Sequence, residues 1–330
     1  MGFEIDIRQT SLGQDLRRIA VEQIDGALGD LAKASTDLPE QIHRLRKRTK
    51  KLRSLVRMIG VHLPGHRQEL TALRDMARRL AGLRDAGVML ATFDALFGTG
   101  DSLRARLDQA KVAAYGDATL QSRLDHVRGD LTALRDRVAR WHLKAKGFAL
   151  LETGIRQTWR RCSSRMEQVR RSPQQEAIHD WRKSVKDHAY QARILHPIWP
   201  EGLAPGLTTA MQLEEQLGQI HDLDVLTDWL RQQPEQTEAA ALIPLALARR
   251  ASLLTDSLAL GTRLFAGSDG DLALRWSTWF RLSHDAAAAT APKPGKSRQP
   301  AGSGRQLALN QRNGLLHPVQ GNKPAKPRPL

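Results

Sequence analysis

Apolar side chains recur three and four positions apart from about residue 11 to about residue 282, and alternating runs of the kind that form half-buried strands are few. The spacing predicts a chain folded almost wholly as helix. Breaks in the pattern fall where glycine, proline and capping residues gather: Ser35 to Pro39, His62 to His66, Gly98 to Asp101, Ser172 to Pro173, Pro197 to Pro205, and around Pro234. From Ala286 to Leu330 the periodicity stops, acids disappear, and Pro, Gly, Ser, Asn and Gln dominate, so residues 286–330 read as a disordered tail.

Composition sharpens this outline. A 330-residue chain with 41% hydrophobic residues can bury a sizeable core. Its formal net charge of +16 calls for an anionic partner: nucleic acid, polyphosphate or an anionic membrane. The tail carries eight Lys or Arg, so the body alone keeps a charge of about +8 on the same count. The longest apolar run, Ala239 to Ala248, is half of the roughly 20 residues a membrane span needs and contains Pro244, so no span is expected. The first residues, MGFEIDIRQT, lack the apolar stretch of a secretory signal. Cys162 is the sole cysteine, which excludes an internal disulfide and a multi-cysteine zinc site and fits a reducing cytosol.

Sliding the chain against itself exposes a repeat with a period near 136 residues. His43-Arg44-Leu45-Arg46-Lys47-Arg48-Thr49-Lys50 aligns with His179-Asp180-Trp181-Arg182-Lys183-Ser184-Val185-Lys186, and both copies read H-x-x-R-K-x-x-K. A second block, Leu80 to Val88, aligns with Leu217 to Val225; the distance from the His to the first Asp is 42 residues in one copy (Asp85) and 43 in the other (Asp222).

At 100° per residue, His43, Arg46, Lys47, Lys50, Arg53 and Arg57 share one arc of a helix, with Leu45, Leu52, Leu55, Val56 and Ile59 opposite. In the second copy His179, Arg182, Lys183, Lys186, Tyr190 and Arg193 share an arc, and Trp181, Val185, Ala192 and Leu195 lie opposite. Stacked like charges four residues apart oppose helix formation, so something must neutralise them. Asp85, Asp222 and Asp224 are candidates but too few; phosphate suits the remainder, because Arg offers a fork, Lys a point charge and His a further N–H. A bland reading also exists, in which the cations form a solvated face and each histidine is a satisfied core residue, but it does not account for the same offsets occurring twice. Trp141, Trp159, Trp181 and Trp229 read as core.

The paired blocks resemble the conserved-histidine α-helical domain (CHAD) family, whose halves each carry H-x-x-R-[KR]-x-x-[KR] followed by L-G-x-x-R-D-x-D-V. The likeness runs from roughly residue 8 to 282. It implies an all-α fold of two pseudo-symmetric four-helix bundles, about 8–145 and 146–282 within a 1–285 domain, whose basic helices face a shared groove or pore. It further implies binding of inorganic polyphosphate, association with polyphosphate granules in the cytoplasm, and contacts from His43, Arg46, Lys47, Lys50, Arg53, Arg57, His179, Arg182, Lys183, Lys186 and Arg193. The chain departs from the pattern where Ala189 replaces the cation at Arg53, Gly87 replaces the second acid, and His221 stands where Arg84 does.

Two other classes compete. His221-Asp222 is a metal-phosphohydrolase dipeptide, but the aligned copy reads Arg84-Asp85 and loses the histidine; with no phosphate-loop or catalytic-triad motif, no enzyme activity and no cofactor are expected. Sequence-independent nucleic-acid binding through the basic helices and the tail is the stronger alternative. It lacks stacking aromatics among the cations, Tyr190 excepted.

Overall fold

The computed structural model describes residues 2–9, 11–33, 37–81, 85–98, 102–116, 118–233 and 236–290. Among these the fold is all-α: α1 (Leu12–Ala32), α2 (Leu38–Ile59), α3 (His66–Arg79), α4 (Asp85–Phe97), α5 (Ser102–Tyr115), α6 (Leu120–Ala139), α7 (Ala149–Arg171), α8 (Gln175–Leu195), α9 (Pro200–Arg231), α10 (Gln236–Leu264) and α11 (Asp269–Thr290), with 3₁₀ turns at Gly60–His62 and His196–Ile198. No helix of the described residues is long and apolar enough to cross a membrane.

Local signals set the helix ends. The Asp37 carboxylate accepts from the Glu40 amide at 3.0 Å, with proline in the first turn of α2. Gly60 (φ +52°) ends α2 and Gly65 (φ +79°) precedes α3, both in backbone that a Cβ disfavours. At α11, Ser268 Oγ accepts from the Asp271 amide at 3.1 Å while Asp271 accepts from the Ser268 amide at 3.3 Å, a reciprocal capping box.

The expected apolar arcs are the buried ones: Leu45, Leu52, Leu55, Val56 and Ile59 on α2, and Trp181, Val185, Ala192 and Leu195 on α8. Trp141 and Trp159 are buried as well, and Trp229 is half-buried against a second cluster. Helices α1, α2, α3 and α6 pack on one another, as do α7, α8, α9 and α10, with α11 added against α7. The two bundles meet through α2, which lies on α7 and α8. This approach is close: a Cβ on Gly154 of α7 would stand 2.1 Å from the Met58 carbonyl oxygen of α2, so only glycine fits.

Three expectations need correction. The break at Pro197 to Pro205 is shorter than it reads, because α9 starts at Pro200 and runs through Pro205. Pro205 is the sixth residue of α9, and its missing N–H forfeits one helical hydrogen bond, to the Glu201 carbonyl. The helical body does not end near 282 or 285; α11 continues to Thr290 along the alanine run. The rest of the expected tail, 291–330, lies outside the described residues. Finally, the aligned second blocks do not fold alike. Leu217–Val225 sits within the continuous α9, whereas its counterpart straddles the end of α3 and the start of α4, with 82–84 outside the described residues. Helices α4 and α5 form a hairpin that packs across onto α9 and α10, burying Leu90, Phe93, Leu103 and Leu107 against Leu226, Leu230 and Ala239.

Candidate anion-binding cleft

The polar faces of α2 and α8 point at each other across two adjoining cavities of about 350 and 800 Å³. Arg46, Lys50, Arg182, Lys186 and Tyr190 belong to both. The first also holds Arg53, Arg57, His179 and Lys183, with His221 and Asp222 from α9 and Val88 and Met89 from α4. The second holds His43, Lys47 and Arg193, together with Lys51 and the N-terminal Phe3. All eleven residues singled out in the sequence therefore line one continuous region, although they lie up to 150 positions apart.

Among the described residues, ten Lys or Arg face four Asp or Glu in this lining. Two acids that the sequence did not single out, Asp187 and Glu214, pair with these cations. Asp187, one turn beyond Lys183 and buried, takes the Arg57 guanidinium at 2.9 and 3.0 Å through its two oxygens. Burial pushes its carboxyl up, opposed by Arg57 and Arg161. Glu214 of α9 holds Lys186 and lies 3.5 Å from Arg182; burial would raise its carboxyl, but those cations outweigh burial and hold it low. Asp224 instead binds Arg250 at 2.5 Å, Asp222 lines the cleft, and the Asp85 side chain lies outside the description. Lys183 pairs with Asp180 at 2.9 Å, and Arg193 with Glu4 at 2.9 Å.

What remains is a surplus of partly desolvated positive charge. Arg53 has no carboxylate within salt-bridge distance among the described residues, its Nε is buried without a hydrogen-bond partner, and burial beside Arg57 depresses its basicity. Lys51 is depressed in the same sense, by burial first and then by Lys47, Arg48 and Arg193, and its ammonium sits 4.9 Å from the Phe3 ring centre. The Arg46 guanidinium is braced by the Leu80 carbonyl at 2.7 Å. His179 and His221 lie ring against ring at 4.6 Å between centroids. The His179 Nδ1 is buried without a partner, and its pKa falls to about 4 through burial, then Lys183, His221 and Arg182.

Lys51, Glu214, Asp187 and Gly218 escaped the reading of the sequence. Lys51 breaks the repeated offsets, and the two acids lie outside both aligned blocks' acidic positions. Gly218 was visible as the glycine of the second block: a Cβ there would stand 3.1 Å from Arg182 Nη2, so the glycine leaves room for that guanidinium.

A family model for the CHAD domain matches residues 18–231. Among solved structures, the crystal structure of the CHAD domain from the plant Ricinus communis is similar, with a TM-score of 0.57 and 17% identity over 81% of this chain and 95% of that one. At such identity the likeness is one of fold. No curated protein matches the chain.

Proposed function

As the chain belongs to the CHAD domain family, whose model covers well over half its length, we propose that it binds inorganic polyphosphate in the cleft between α2 and α8. The observation that carries this reading is the convergence of two sequence-distant copies of one cationic pattern on a single cleft, where the described residues include more than twice as many Lys and Arg as acids. A polyanion relieves the mutual repulsion of these cations and gains charge-assisted hydrogen bonds in partly desolvated surroundings. The helices supply rigid, preordered donors, and Glu214 and Asp187 hold three of them in place. In this reading the protein is a binder and not an enzyme, and granule association in the cytoplasm is its cellular expression.

Nucleic-acid binding is less well supported by the cleft. Cations recessed between two helices suit a thin, base-free chain, and the Tyr190 ring, the aromatic available for stacking, is met edge-on by Phe3 at 5.8 Å.

Titration of the full chain with long polyphosphate, in competition with double-stranded DNA at fixed salt, tests the proposal. Replacing Arg46, Lys50, Arg182 and Lys186 by Gln, together with Glu214→Gln so that no buried carboxylate is stranded, is expected to weaken binding at least a hundredfold. Its salt slope should fall by about 3, at about 0.7 per lost contact. Normal binding by this variant sinks the cleft as the site.

A further inference from the structure

A separate cavity, of about 390 Å³, opens on the opposite side of α8. Its wall is aromatic: Trp159 from α7, Trp199 at the start of α9, and Trp276 and Trp279 from α11. The imidazole of His188 from α8 completes it. These rings are mutually braced. Trp199 meets Trp279 edge-on at 4.7 Å, His188 lies parallel to Trp276 at 5.7 Å, and Trp159 meets His188 edge-on at 5.4 Å.

The cavity is not simply a packing fault. His188 is only 3% exposed, yet its Nδ1 has no hydrogen-bond partner, a costly arrangement for a polar ring in an otherwise apolar wall. Trp199 stays 45% exposed, although α9 is built to receive it: a Cβ on Gly202 would stand 2.4 Å from its ring. One turn on, Gly206 also lines the cavity, and a Cβ there would meet nothing within 4 Å. At the mouth the Arg275 guanidinium stands 5.8 Å from the Trp279 ring centre, and among the described residues no acid lines the cavity.

From this arrangement we infer a binding site for a small planar aromatic acid, its ring against the tryptophans and its anionic group on Arg275. Flat π faces take flat rings. The scarcity of polar groups excludes sugars, whose hydroxyls would go unsatisfied. Arg275 is the charged group of the lining, with Asp271 one turn away on α11 outside it, and its positive charge disfavours the organic cations that aromatic cages otherwise hold. The inference stands apart from polyphosphate binding, since the cavity shares with the cleft only the apolar Leu207.

The test is a tryptophan-fluorescence titration of the full chain with 2-naphthoate, with the neutral 2-naphthalenemethanol and a 2-naphthyl trimethylammonium as comparisons. Saturable one-site binding of naphthoate is expected, tighter than the alcohol and far tighter than the cation, and unchanged by saturating polyphosphate. Arg275→Gln should weaken naphthoate about tenfold while leaving the alcohol unaffected. Gly206→Leu, an exposed helical position where the substitution favours the fold, should abolish binding of both. The site is overturned if naphthoate does not saturate, if polyphosphate displaces it, or if both variants bind it as the parent does.

Discussion

Burial above all keeps His179 neutral, aided by Lys183 and Arg182 on its own helix and by the neighbouring His221 on α9, and Asp180 opposes them. An anion in the cleft reverses that field and favours the imidazolium. Polyphosphate binding should therefore take up protons and tighten as the pH falls from 8 towards 5, a trend that His179→Gln should flatten. Calorimetry in buffers of differing ionisation enthalpy measures the uptake directly. Without ligand the sign is opposite for stability. His179 and the buried His188 both titrate near 4 in the folded chain, against 6.5 ordinarily. The unfolded chain thus binds more protons between these values, and stability is present above pH 6.5 and lost as pH falls towards 4. Thermal melts across that range should show it, with a smaller loss in His188→Phe.

At the scale of the helix, α2 does two jobs with opposite faces. Its apolar arc is the floor of the first bundle, and its cationic arc is one wall of the cleft. Both arcs were readable at 100° per residue because a regular helix turns spacing into direction. The place of contact with α7 was not readable, since it depends on a glycine in a distant element. Gly154→Ala gains helix propensity but drives a methyl into the Met58 carbonyl. A net destabilisation of about 1–3 kcal/mol is expected, seen as a lower unfolding midpoint, together with weaker polyphosphate binding as α2 is pushed off line. The hairpin of α4 and α5 was equally hidden. A helix start and the interior of a longer helix can carry the same local sequence, and only the partner surface on α9 distinguishes them.

For the molecule as a whole, the charge divides evenly between body and tail, yet the two halves of that charge differ in kind. Under the proposed function the cations of α2 and α8 act together on one chain of phosphates, and those of residues 291–330 add a sequence-independent attraction. Ending the chain at Thr290 should leave polyphosphate affinity at low salt within about tenfold while lowering binding to double-stranded DNA far more. Competition titrations before and after truncation decide this. At a hundred times its dissociation constant, polyphosphate should also stabilise the folded body by about 2.7 kcal/mol, measurable by denaturant titration.

The helical class, the basic faces and the eleven cleft residues were already determined by the sequence, because periodicity and a repeated motif are properties of position along the chain. The tertiary structure alone decided which charges neutralise which. Asp187 and Glu214 matter because folding removes them from water beside Arg57, Arg182 and Lys186. Asp224, equally plausible by spacing, is drawn to Arg250. The aromatic cavity is likewise a tertiary fact: Trp159, His188, Trp276 and Trp279 come from three helices and Trp199 from the cap of a fourth, and no periodicity along any one of them foretells the space they enclose.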